Sequence, residues 1–319
     1  MKITSVDFLL TFQCTARCRH CSYGASPERQ GFMTLEHADQ WLTELKKQQP
    51  LTSLTIHGGE PFLRFELLDA ILDKATELDI TQKWVITNGF WATSKSVARE
   101  KLRRLKDEGL SCITFSADAF HQEYTPLGNV RIGLDAAVHI GFDTVAVDSY
   151  IVGTENQENE FNTVTNRLVN DLQEFDTVIF SQYPVAFAGR AADSLVGFVS
   201  SCAEMPSGKC QFPFWLGGDL RSPEAIEIDP EGNVTLCSGL CIGNAVRQSI
   251  AELLGNYDFS KHPLIRIIAE QGPKGLVPLA KAKGHKDNQQ YINECHLCYE
   301  MRKFLRKYYP DELTPDNCY

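Results

Sequence analysis

Cys14, Cys18 and Cys21 stand close together as Cys-x3-Cys-x2-Cys. Three thiolates on one short loop can ligate three corners of a [4Fe–4S] cluster and leave the fourth iron open to a small molecule. A zinc site with His20 as fourth ligand is the competing reading, although this spacing is not that of the usual zinc ribbons. A disulfide framework is disfavoured: a chain of 319 residues does not need such staples, and residues 1–15 lack the basic-then-apolar order of a secretory signal.

A second set of thiols lies far along the chain. Cys210 precedes a predicted hairpin, Cys237 closes it, and Cys295-His296-Leu297-Cys298 leads into a predicted helix. Four such thiolates could enclose a second cluster completely, or a structural zinc, since all-thiolate tetrahedral sites suit both. Cys202 competes with Cys210 as first ligand, and Cys210 is preferred because fewer residues separate it from the hairpin. Cys112, in the apolar run Ser111 to Phe115, is expected to be a small core residue, and Cys318 to be exposed and incidental.

These residues are set out on regularly alternating elements. Strands are predicted at Ile3–Thr11, Thr52–His57, Lys83–Thr87, Ser111–Ser116, Thr144–Ile151 and Thr177–Gln182. Between them run helical stripes: Leu35, Ala38, Trp41, Leu42 and Leu45 behind the N-cap candidate Thr34; Leu67, Leu68, Ile71, Leu72 and Ala75; Val97, Leu102 and Leu105; Val130, Leu134, Ala137 and Val138, ending at Gly141; and Phe161, Val164, Leu168 and Leu172. Glu155, Glu158 and Glu160 are read as acidic residues complementing the last helix start. Alternation of this kind builds a parallel sheet, whose site lies at the carboxyl ends of the strands. After Gly189-Arg190-Ala191 the alternation stops, and Cys, Gly and Pro become frequent, as in Cys210-Gln211-Phe212-Pro213 and Gly217-Gly218-Asp219. Ala225–Ile228 and Val234–Leu236 then read as a hairpin around Gly232.

With the cysteine triplet after the first strand, Gly58-Gly59-Glu60-Pro61 after the second, Asn88 after the third, and Ser116 with Asp118 after the fourth, the chain resembles the radical S-adenosylmethionine (SAM) enzymes. The resemblance implies an α/β fold, a partial (β/α)6 barrel over residues 1–195. Residues 196–319 are similar to the small Cys-rich α+β twitch domain, the short form of the SPASM domain, which implies two [4Fe–4S] clusters. It further implies that Gly58, Gly59, Glu60 and Pro61 bind the methionine amino group of SAM, with Asn88, Ser116 and Asp118 as further SAM contacts. One electron from the first cluster would then cleave SAM to a 5′-deoxyadenosyl radical that abstracts a substrate hydrogen. A flavodoxin- or ferredoxin-type donor is the implied source of electrons.

The tail and the Asn88-Gly89-Phe90-Trp91 segment are similar to radical SAM peptide epimerases, which implies a ribosomally synthesised peptide as substrate and epimerisation, crosslinking or oxidation as the reaction. Such enzymes can carry a hydrogen-donating cysteine directly after the hairpin cysteine, whereas Ser238 stands there in this chain; Cys241 is the candidate donor instead. An added N-terminal peptide-recognition domain is not expected. A small-molecule dehydrogenase of the aminocyclitol or sugar type is the alternative, and a non-catalytic metal-binding structural protein a remoter one. His121 reads as a SAM or substrate contact or as a structural histidine, Arg190 as a carboxylate anchor or a surface ion pair, and the basic run Arg302, Lys303, Arg306 and Lys307 as a solvated helix face.

Composition narrows the class. A net charge of −10 disfavours nonspecific nucleic-acid binding, which depends on Lys and Arg neutralising phosphates. No apolar run approaches the roughly 20 residues of a membrane span. The 43% hydrophobic and 23% charged content suits a globular chain, and the expected location is the cytoplasm.

Overall fold

The computed structural model describes residues 1–154, 156–210, 219–286 and 290–319. Glu155, Gln211, Phe212, Pro213, Gly217 and Gly218, singled out above, lie outside the described residues. Six parallel strands form in chain order: β1 (Ser5–Leu9), β2 (Ser53–His57), β3 (Gln82–Thr87), β4 (Cys112–Ser116), β5 (Thr144–Ile151) and β6 (Ile179–Pro184). Between them run α1 (Leu35–Gln48), α2 (Phe65–Glu77), α3 (Lys95–Asp107), α4 (Leu127–Ile140) and α5 (Glu160–Leu172). This is the α/β architecture of a partial (β/α)6 barrel. Thr34 caps α1 by accepting from the His37 amide, and Gly141 ends α4 in the left-handed conformation at φ +81°, both as the sequence leads one to expect.

Strand alternation divides the sheet into two faces. Phe8, Ile56, Val85, Ile113 and Val145 stand in register across five strands and are buried. Phe8 packs edge-on to Trp41 of α1, with ring centroids 6.3 Å apart, so this is the helix-covered face. One residue earlier on each of β1 to β4, the row Asp7, Thr55, Trp84 and Cys112 is only half-buried and largely polar. Cys112 is therefore not the core residue expected of it: as the first residue of β4 it falls on the polar row.

After α6 (Arg190–Ser194) the chain crosses to the other edge of the sheet. Here β7 (Ala225–Ile228) pairs in parallel with β1, and β8 (Asn233–Cys237) and β9 (Leu240–Asn244) follow antiparallel, giving the order β6-β5-β4-β3-β2-β1-β7-β8-β9. The expected hairpin thus extends the barrel sheet. The ninth strand went unread because it is short and contains Gly243, and because its pairing with β8 slips at two register shifts. Four helices complete the described chain: α7 (Ile250–Gly255), α8 (Pro263–Gln271), α9 (Leu276–Ala282) and α10 (Glu294–Leu305).

Trp41 joins the two halves, its ring on Phe8 and its indole N–H donating to the Ala245 carbonyl at 3.3 Å. Trp41→Ala is expected to cost about 3–5 kcal/mol, measured as a lowered urea midpoint, with far-UV circular dichroism unchanged in buffer.

Candidate active site and metal centres

The loop after β1 carries Cys14 and Cys18, both buried, and Cys21, half-buried. Backbone bonds between Cys14 N–H and Ser26 O (3.1 Å) and between Ser26 N–H and Phe12 O (3.2 Å) close its base. Arg190, read from sequence as a carboxylate anchor or surface ion pair, is neither. Its Nε donates to the Cys18 carbonyl at 2.9 Å and its Nη2 to the Ala25 carbonyl at 2.7 Å, so the side chain staples the cysteine loop to the start of α6. Gly189 must be glycine there: φ is +56°, and a Cβ would lie 2.8 Å from the Cys21 carbonyl oxygen.

Burial, then the nearby Glu60 charge, pushes the Cys14 thiol up to about 12. Burial, then Asp118, raises Cys18 well above the ordinary thiol range. Cys21 acts on both, so the three sulfurs converge. Three thiols gathered on one loop, two of them buried, are a donor set for a metal centre, whose positive charge favours the thiolate form. His20 does not complete a zinc site with them. Its ring stacks on Tyr150 at 4.7 Å, and its ligand atoms gather within 4.8 Å of those of Asp118 and His121. Among the described residues the three thiols form no group that tight, whereas a single zinc with bonds of about 2.3 Å would draw its ligands to within about 4 Å of one another.

The Gly58–Glu60 turn lies directly against this loop. Gly59 N–H donates to Thr11 O at 2.6 Å and Glu60 N–H to Gln13 O at 2.9 Å. A Cβ on Gly59 would come within 2.0 Å of the Gln13 carbonyl oxygen, and Gly58 has φ +141°, which explains the glycine pair. Glu60 is fully buried. Its Oε1 accepts from Phe62 N–H (3.1 Å) and Thr87 Oγ1 (2.8 Å), and its Oε2 from Asn88 N–H (2.8 Å). Burial nevertheless pushes its carboxyl up to about 7. Pro61 follows, buried, at the start of a short 3-10 turn. Asn88 Nδ2 donates to Thr15 Oγ1 at 3.0 Å and lies 3.8 Å from Cys14 Sγ, and Ser116 is buried at the end of β4.

Asp118 uses its carboxylate on its own chain. Oδ1 accepts from the Phe120 and His121 amides, and Oδ2 from the Tyr150 amide and His121 Nδ1, all between 2.9 and 3.1 Å. Burial alone would raise it, but the His121 charge and hydrogen bond hold it at about 2. Asp118 therefore organises the loop that presents His121 beside His20, with ring centroids 4.9 Å apart. Thr87 escaped the sequence reading: it donates to Glu60 and accepts from the Trp91 indole N–H at 3.0 Å, fixing the Glu60 carboxylate. Its place next to Asn88 at a strand end was the available signal.

Cys210, Cys237, Cys295 and Cys298 line one cavity, together with Ser22, Ser238 and Arg302. Burial, then the charges of Cys237, Cys298 and Cys210, raises the Cys295 thiol. Cys202 is exposed, donates to the Ile292 carbonyl, and is not among the residues lining this cavity. Cys241 does not line it either: it is 2% exposed and its thiol donates to Gly243 O at 3.0 Å. Cys318, expected to be exposed, is only 2% exposed. Its 3-10 turn (Asp316–Cys318) is tucked in by Asn317 Nδ2 on the Tyr23 carbonyl and Tyr319 Oη on the Gly239 carbonyl. Arg302, expected on a solvated face, is 3% exposed because α10 turns that position towards the thiols.

Arg190→Ala removes both side-chain staples from the cysteine loop. After anaerobic reconstitution and gel filtration it is expected to hold less than about half the wild-type iron on the Cys14, Cys18 and Cys21 site, counted in a Cys237/Cys295/Cys298→Ala background, with unchanged far-UV circular dichroism.

Residues 8–162 match the radical SAM superfamily model. The putative peptide biosynthesis protein YydG of Bacillus subtilis (strain 168) is 28% identical over 129 residues, 40% of this chain and 40% of the relative. A GTP 3′,8-cyclase of Haemophilus influenzae (strain 86-028NP) is 28% identical over 158 residues, 47% of this chain and 45% of the relative. The chain thus matches less than half the length of either. The solved structure of native anSMEcpe with bound AdoMet and Cp18Cys peptide shares the fold, at 14% identity, 97% coverage of both chains and a TM-score of 0.53. The matched span, just under half of the chain, holds the cysteine triplet, the Gly58–Pro61 turn and the ends of β3 and β4, and over it the chain is similar to the radical SAM superfamily.

Proposed function

We propose that the chain is a radical SAM enzyme that modifies a ribosomally synthesised peptide by epimerisation, crosslinking or oxidation. The observation that carries the reading is the meeting of Cys14, Glu60 and Asn88 in one buried region, with four further thiols around a separate cavity. The similarity to the peptide biosynthesis protein favours a peptide. The similarity to GTP 3′,8-cyclases favours the second reading, a small-molecule substrate. A neighbouring gene for a short peptide would support the first reading, and sugar or antibiotic pathway genes the second.

Cys14, Cys18 and Cys21 would hold a [4Fe–4S] cluster, and Cys210, Cys237, Cys295 and Cys298 a second. The former, when bound, supplies the electron that splits SAM into methionine and a 5′-deoxyadenosyl radical. Glu60 Oε2, which accepts from the Asn88 amide, would also accept from the SAM ammonium. That cation would in turn keep the Glu60 carboxylate ionised at neutral pH, against the burial that raises it. Thr87 and the Asn88 amide prevent the carboxylate from swinging away. Asn88, Ser116 and the loop tied by Asp118 would contact the rest of SAM, and Phe120 and Tyr150, packed on His20, keep water from it. A fully ligated second site suits electron transfer. The 1–195 barrel, the 196–319 auxiliary segment, a flavodoxin- or ferredoxin-type donor and a cytoplasmic location belong to the same proposal. Among the described residues no helix is long and apolar enough to cross a membrane.

Anaerobic reconstitution is expected to give about eight irons per chain, falling to about four in the Cys14/Cys18/Cys21→Ala variant; about four falling to none would remove the second cluster. The reduced wild type should release 5′-deoxyadenosine from SAM, and its failure to do so would leave only a structural metal protein. If Cys241 donates hydrogen, Cys241→Ala should lose product while 5′-deoxyadenosine still forms; unaltered turnover would end that role.

A further inference from the structure

We infer that Arg302 is the charge partner of the four-thiol site and raises the reduction potential of the cluster held there, an inference that rests on the auxiliary-cluster reading above. Arg302 lies one turn beyond Cys298 and two beyond Cys295 on α10, so helical periodicity puts all three on one face. Arg302 is 3% exposed and lines the same cavity as the thiols. Its Nη1 donates to the Ser238 carbonyl at 2.9 Å and to Tyr319 Oη at 3.2 Å, and the Tyr319 ring sits 5.6 Å from Cζ. Its Nε is buried and has no hydrogen-bond partner.

A guanidinium stays charged at any pH the protein meets, and burying it is unfavourable unless an anion accompanies it. The partners that hold Arg302 are a carbonyl, a phenol, an aromatic ring and the Cys298 thiol, all neutral while that thiol keeps its proton. The ionisable groups that act on it most strongly are Tyr319, Cys298, Cys237 and Cys318, again neutral while they keep their protons. Anions on Arg302's own neighbours appear when the cavity's thiols become metal-bound thiolates. With four thiolates a [4Fe–4S] core in its oxidised form carries two net negative charges and in its one-electron-reduced form three. A fixed cation beside it therefore favours the reduced form. Glu294, which lines the same cavity and accepts from Gly208 N–H at 2.9 Å, and the buried Glu227, whose charge acts on Cys237, pull in the opposite direction, and Arg302 offsets them. The electron arrives from an external one-electron reductant, which is oxidised; no bond is made or broken.

The test uses the full chain carrying Cys14/Cys18/Cys21→Ala, so that only the second site is read. Iron is counted, and the reduced signal is followed by electron paramagnetic resonance during titration with dithionite. Arg302→Gln, holding about four irons, is expected to shift the reduction equilibrium at least tenfold towards the oxidised form, about 59 mV for one electron, and Arg302→Lys to recover most of that shift. A Gln variant with full iron and an equilibrium within about twofold of its parent overturns the inference, as does a Lys variant that behaves like the Gln variant. Loss of iron in Arg302→Gln but not in Arg302→Lys supports the charge requirement; loss in both overturns it and leaves a packing role. A parent that holds no iron overturns the auxiliary-cluster reading itself, and this is seen before any Arg302 variant is made.

Discussion

The buried carboxylate of Glu227 ties together the strands and the loop on which both thiol sets depend. It is 2% exposed, yet it accepts from Tyr23 Oη at 2.6 Å and Thr235 Oγ1 at 3.0 Å and pairs with His57 Nε2 at 3.2 Å. Tyr23 closes the cysteine loop, His57 precedes the Gly58–Glu60 turn, and Thr235 lies two residues before Cys237. One acidic group thus sets three parts of the molecule against one another. Burial alone would lower the His57 pKa, but the Glu227 hydrogen bond and charge raise it, as expected of a satisfied buried pair.

That clamp stands on the pairing of β1, hydrogen-bonded in parallel on both edges, to β2 through Asp7↔Thr55 and to β7 through Asp7↔Glu227. β1 therefore does more than launch the cysteine loop: it is the seam where the C-terminal strands join the barrel. A change that slips its register by one residue would send Asp7 towards the helices and Phe8 into the polar face, and would misplace the loop and the hairpin together.

Much of the stretch that matches the radical SAM superfamily model was legible because its information is local. Thr34 caps its own helix, Gly141 ends its own helix, and the strand and helix periods of β2 to β5 can be read within short windows. The chemical residues were equally legible where they come in compact motifs: Cys14 to Cys21, Gly58 to Pro61, and Cys295 with Cys298. Arg190, Thr87 and Arg302 were not, since each acts on residues supplied by another element: Cys18 and Ala25 from 165 or more residues away, Glu60 from 27, Ser238 from 64. Cys318 was misjudged for the same reason, because nearness to a chain end says nothing of the Tyr23 and Gly239 carbonyls that hold its turn in place.

By itself the sequence determined which residues can bind metal, which turns need glycine, and the order of strands and helices from β1 to β6, because donor type, backbone sterics and hydrophobic period are properties of the residue and its near neighbours. Only the tertiary structure decided which thiols share a cavity, that Cys202 and Cys241 stay out of it, that β7 to β9 continue the barrel sheet, and that a basic helix buries one of its cations. Those outcomes depend on long-range pairing and on the cost of burying charge, and both are settled only when distant segments meet.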